Sequence, residues 1–282
     1  MRWRAVLIGV ASLVAIASAS VVVAAVVTRR PPVPLGADLV QYRTDQALRT
    51  VKIQLSNRGD APVQVVRAEL WSRSFAGTGP IDTDTLVRTG DVRTDIRVGY
   101  GHGVCTGPAA TLTAEPATAV LGVRDGDGTR EVALPLPYPS ELLTSLLRAD
   151  CEQAEVARVA TATLAGLRAR PDGALDAVVR LTRTGGTAPV TMTEVRGSVL
   201  YTLTPASSAR TLAATQGAVD LPVTIDSNRC DPHAVGEVKK PYEFPAWLAV
   251  GDAPPVYTLI DVPAGARATL FGFVRERCAL PG

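Results

Sequence analysis

Only two histidines occur in the 282 residues, and each stands three positions from a cysteine: His102-Gly-Val-Cys105 and Cys230-Asp-Pro-His233. Imidazole and thiolate bind zinc or, in an extracytoplasmic setting, copper, so these four residues pose a metal-site reading. One pair runs His-to-Cys and the other Cys-to-His, and both cysteines have disulfide partners implied by an internal repeat. A disulfide sulfur is no metal ligand, so no metal or cofactor is expected. Asp231-Pro232-His233 with Ser227 nearby carries the residue types of a hydrolase. No Gly-x-Ser-x-Gly elbow fixes a nucleophile, and two histidines supply little acid/base capacity near neutral pH. Asp220 and Asp226 are further candidate carboxylates, at positions that suit capping and turn hydrogen bonds better. Asp125-Gly-Asp-Gly128 matches half of a calcium loop but lacks its third acidic ligand and distal glutamate. Asp-Gly is also a hairpin-turn signal, which needs no ion. The chain is therefore read as a non-enzyme without catalytic residues.

The elements that hold these residues come twice. Asp95-Ile-Arg-Val-Gly-Tyr100 before Cys105 recurs as Asp220-Leu-Pro-Val-Thr-Ile225 before Cys230, an offset of 230 − 105 = 125. Pro62 recurs as Pro189, Pro137 as Pro263 and Cys151 as Cys278, at offsets of 127, 126 and 127. A nearly constant offset argues for duplication of a whole domain, and cysteines that travel with it select one bridge per copy: Cys105–Cys151 and Cys230–Cys278. Each closes a loop of nearly fifty residues, for which chain entropy gives about 4 kcal/mol.

Ala5 to Val27 is an uncharged apolar run of 23 residues. As a helix it measures about 34 Å, enough to cross a bilayer core. Arg2 and Arg4 precede it and Arg29 and Arg30 follow. The basic short N-terminal side is expected to face the cytoplasm, so residues 5–27 anchor the chain in a membrane and the bulk lies outside. A cleaved signal peptide ending at Ala17-Ser18-Ala19 is the rival reading, opposed by Val21 to Val27, which continue the apolar run. Even cysteine numbers in that compartment imply disulfides. The charges cancel: 29 basic residues less the four N-terminal arginines leave 25 against 27 acidic ones. There is no basic cluster, hence no footprint for nucleic acid. Three lysines against 26 arginines, with abundant Ala and Val, read as a high-GC coding bias.

Short alternating segments separated by turns, such as Leu48 to Leu55 and Val63 to Trp71, predict strands, and their density predicts an all-β fold. Val190 to Leu203 reads as one long strand. Ser140 to Leu147 has the spacing and N-cap of a short helix, but its counterpart Ala268 to Val274 reads better as a strand. Because paired copies should agree, the strand is preferred for both. The disulfides are then expected to tether a mid-domain loop to the last strand or just beyond it. Trp71 and Trp247 are expected to be core or semi-buried.

The unit Leu55-Ser-Asn-Arg-Gly-Asp-Ala-Pro-Val-Gln-Val65 resembles the early hairpin of bacterial immunoglobulin-like domains. The resemblance implies two tandem immunoglobulin-like β-sandwiches, without the usual bridge between two central strands. The stretch Arg229-Cys-Asp-Pro-His-Ala234 resembles one found in uncharacterised membrane-anchored proteins of actinobacteria, which brings no activity with it. The expected organisation is 1–30 cytoplasmic tip and anchor, 31–36 Pro-rich stalk, 37–152 first sandwich and 153–282 second sandwich.

Lys239-Lys-Pro-Tyr-Glu-Phe-Pro-Ala-Trp247 is the best surface candidate. It reads as a loop that the first copy lacks, with cations and aromatics suited to contact, and unmatched loops on a duplicated scaffold are where function diverges. Lys239, Lys240, Tyr242, Phe244 and Trp247 are the expected contacts to another envelope protein. The other classes considered are a ligand- or metal-binding receptor domain using the histidines, and a hydrolase.

Overall fold

Apolar and polar residues alternate through Thr50–Asn57, and every second side chain from Val51 to Asn57 is buried. That alternation is what places a strand between a core and solvent. The computed structural model describes residues 32–46, 48–125 and 128–279. The expected membrane anchor, residues 5–27, lies outside the described residues. Among those described, no helix is long and apolar enough to cross a membrane.

The first copy comprises β1 (Leu35–Val40), α1 (Arg43–Gln46), β2 (Thr50–Asn57), β3 (Val63–Ser72), β4 (Ile81–Val87), β5 (Gly90–Gly99), β6 (Ala117–Asp125), β7 (Gly128–Pro135) and α2 (Glu141–Ala157). The second comprises β8 (Ala160–Ala169), β9 (Leu175–Arg183), β10 (Val190–Val195), β11 (Tyr201–Pro205), β12 (Arg210–Leu212), β13 (Ala218–Ser227), α3 (Pro232–Glu237), β14 (Phe244–Val250), β15 (Val256–Ile260) and α4 (Ala264–Arg277). Four antiparallel sheets result. Sheet β1-β2-β5 faces β4-β3-β6-β7 across the first core, and β8-β9-β13-β11 faces β12-β10-β14-β15 across the second. The protein is thus mostly β, and the two copies share one strand order. The second adds β11 at the edge of β13.

The long strand expected over Val190 to Leu203 is two strands, β10 and β11, in opposite sheets. The chain crosses at Gly197, where an added Cβ would lie 2.1 Å from Tyr201 O. Trp71 is half exposed, at 50%, on the outer face of β3, and not in a core.

The largest correction concerns the ends of the copies. Both end in helices, α2 and α4, and the preferred strand reading is overturned. Ser140 caps α2 by accepting a hydrogen bond from Leu143 N at 3.2 Å. Leu143, Leu147 and Cys151 recur every fourth residue and are buried, as are Leu270 and Val274 in α4. That spacing makes one helical face; the apparent alternation of Ala268 to Val274 does not place its side chains alternately in and out. The disulfides therefore tether a loop to a helix and not to a strand. Cys105 joins Cys151 within α2, and Cys230 joins Cys278 at the end of α4.

Helix α2 serves both copies. Leu143, Leu147 and Cys151 enter the first core, and Val156 enters the second, so the expected boundary at 152/153 falls inside this helix. Its seat on the first copy is polar as well as apolar. Both Arg49 Nη atoms donate to Asp150 (2.9 and 2.6 Å) and Nη2 also donates to Gly101 O, while Gly103 N donates to Asp150. The Asp150 carboxylate holds the Arg49 pKa above its ordinary value.

Candidate partner-binding face

The segment singled out for its cations and aromatics is divided among three environments. Phe244 is not a surface residue: it begins β14, is fully buried and lies 5.9 Å from the Tyr201 ring. Tyr242 stacks on Tyr201 at 6.3 Å and is packed against the same core. Burial raises the pKa of both phenols, and Tyr201 Oη donates to Leu270 O at 2.9 Å. Two of the three aromatics thus close the second sandwich, because strand pairing with β15 turns Phe244 inward. Lys239 and Lys240 line a different place, a cavity of about 600 Å³ shared with Arg43, Thr44, Arg229 and His233. Lys240 is held there by Glu243 at 2.8 Å.

Trp247 alone reaches an open sheet face. It is directly opposite Glu194 of β10 and Tyr257 of β15, so three side chains form a row across three strands. The Tyr257 ring meets Trp247 edge-on at 5.6 Å. Arg196 lies over the indole at 4.6 Å and is also paired with Glu194. Leu259, opposite Pro245, extends the face and is 47% exposed; Tyr257 is 42% exposed. Partial burial, then the nearby Glu243 carboxylate, raises the Tyr257 pKa. Arg196, Tyr257 and Leu259 carry no local sequence signal as site residues. The period-two pattern of β14 and β15, laid side by side, would have found the last two.

The candidate catalytic residues each have separate partners among the described residues. Ser227 Oγ lies against the second disulfide, 3.4 Å from Cys230 Sγ and 3.3 Å from Cys278 Sγ. His233 Nε2 is 3.2 Å from Glu237, one helical turn on in α3. Asp220 accepts two hydrogen bonds from Arg180 at 2.8 Å, which lower its pKa, and Asp226 accepts from Arg277. Among the described residues no three His, Cys, Asp or Glu side chains are grouped to hold a metal ion. Gly126 and Asp127 of the Asp125-Gly-Asp-Gly128 motif lie outside the described residues.

No protein-family model and no curated protein matches the chain. Among solved structures, the calcium-binding domain CBD12 of CALX1.1 aligns at 8% identity and a TM-score of 0.19, covering 80% of this chain and 81% of that one. The YadV chaperone aligns at 14% and 0.19, covering 80% and 98%. The exo-chitosanase CsxA of Amycolatopsis orientalis aligns at 14% and 0.21, covering 80% and 26%. Similarity at this level carries no argument about fold or function.

Proposed function

We propose that the protein is a non-catalytic interaction module of a bacterial envelope, anchored by residues 5–27 with its N-terminus in the cytoplasm and the two sandwiches outside. The sandwiches are immunoglobulin-like in this reading. Their order, β1-β2-β5 against β4-β3-β6-β7, is that of strands A-B-E against C′-C-F-G. One disulfide per copy supports an oxidising compartment. The observation that carries the proposal is the row Glu194–Trp247–Tyr257 with Arg196 over the indole. Large aromatics and arginine on an open face are the residue types that dominate protein interfaces. The partner is another envelope protein, docking on the outer face of β10, β14 and β15. A photo-cross-linking amino acid at Tyr257 in the full chain, irradiated in its own membrane, should give one discrete adduct. The same probe at Arg180, on the opposite sheet, should not. Equal or absent labelling from both positions rejects the proposal.

A further inference from the structure

Duplication makes the first copy legible against the second. In the second, β13 is covered along one edge by β11, paired from Tyr201↔Ser227 to Pro205↔Val223. The counterpart of β11, at the offset of 127, is residues 74–78 (201 − 127 and 205 − 127). That segment lies beyond the end of β5: Ala76 N donates to His102 O, Val104 N to Ser74 O, and Thr78 Oγ1 to Gly99 O. Among the described residues, strand β5 consequently pairs with β2 and with no strand on its other side. It has no proline, and its register with β2 runs without a bulge from Thr94 to Gly99. Those are two of the devices that commonly protect an edge.

The direction of the free edge follows from alternation. Tyr100 N donates to Arg49 O, so the even-numbered residues of β5 turn their backbone groups toward β2. Gly99 O, which accepts from Thr78, faces the other way, as do the backbone groups of positions 95 and 97, and Arg93 continues the alternation. The residues there read Asp91-Val-Arg93-Thr-Asp95-Ile-Arg97. We infer that the partner of this edge is β5 of a second copy of the chain, antiparallel and centred on Thr94.

Charge selects that occupant and that register. About Thr94, Arg93 comes opposite Asp95, twice by symmetry, so the charges that face each other there are of opposite sign. A shift by two residues, centred on Asp95 or Arg93, sets Asp95 against its own copy and Arg93 against Arg97, or Arg93 against its own copy. Both alternatives repel. The outward backbone groups at Arg93 and Asp95 supply about four interchain hydrogen bonds. Gln54 already orients two of the charges, accepting from Arg93 and donating to Asp95 at 3.1 Å. Val92, 61% exposed, comes opposite Ile96 of the other copy and loses that exposure. The joined sheet runs β1-β2-β5 and then the same three strands in reverse.

Thr94 occupies a non-hydrogen-bonded position at the dyad, where facing Cα atoms are about 4.5 Å apart, within disulfide range. Purified full-length Thr94→Cys should therefore oxidise to a covalent dimer on a non-reducing gel. Arg93→Asp and Asp95→Arg, each alone, place like charges across the dyad and should run as monomers by light scattering at concentrations where the parent is dimeric. Mixed, those two variants face opposite charges and should recover the dimer. A monomeric parent, no cross-link through Thr94→Cys, or a mixture that stays monomeric overturns the inference. Circular dichroism of each variant distinguishes loss of pairing from loss of fold.

Discussion

Replacing Phe244 by alanine separates the two roles that strand β14 combines. The side chain is fully buried, and its ring lies 5.9 Å from that of Tyr201. Returning a phenylalanine to water forfeits about 1.5–3 kcal/mol. The lost aromatic contact adds about 0.5–1.5 kcal/mol. Incomplete collapse of the cavity brings the expected total to about 3–5 kcal/mol. Against a domain stability of about 5–15 kcal/mol this is a large fraction. It corresponds to a drop of roughly 10 °C or more in the melting of the second sandwich. Trp247→Ala, three residues along the same strand, removes a half-buried ring on the outer face, and its expected cost is only about 1 kcal/mol. Urea unfolding of both variants, followed by circular dichroism and compared at equal m-value, measures the contrast. A Phe244→Ala loss below 1 kcal/mol, or equal losses for the two variants, would refute the assignment of Phe244 to the core.

Removing the first disulfide with Cys105→Ser and Cys151→Ser reopens a loop of sequence separation 46. A loss of about 2–4 kcal/mol is expected by calorimetry, and an unchanged melting temperature would count against the bridge as a stabilising element. Alkaline pH should destabilise the second sandwich through Tyr201. Burial raises its folded-state pKa, so its contribution is fully present below the unfolded phenol value of about 10. As pH rises from there toward the folded value the unfolded state ionises first, and stability falls by up to about 1.4 kcal/mol per pH unit. Tyr201→Phe should lose about 1 kcal/mol at neutral pH, from the missing bond to Leu270 O, and show a shallower alkaline decline. Parallel declines for parent and variant in urea midpoints between roughly pH 9 and 11 would exclude this origin.

The sequence by itself determined the duplication, the disulfide pairs and most strands. These rest on local or periodic information: a constant offset, an even cysteine count, and alternation such as Val51, Ile53 and Leu55, all fully buried. Ser140 signalled its helix too, through a cap that needs only its own neighbours. Tertiary structure decided what sidedness and partners decide. Ala268 to Val274 admits both a strand and a helix reading, and contact of Leu270 and Val274 with one core selects the helix. The Lys239–Trp247 segment carries the composition of an exposed loop, but pairing of β14 with β10 and β15 turns Phe244 inward and Trp247 outward. Glu194, Arg196 and Tyr257 are 53, 51 and 10 positions from Trp247 (247 − 194, 247 − 196 and 257 − 247), and only strand register brings them beside it. A period of two places residues on a face; which strands lie side by side, and therefore which residues share that face, is a property of the sheet.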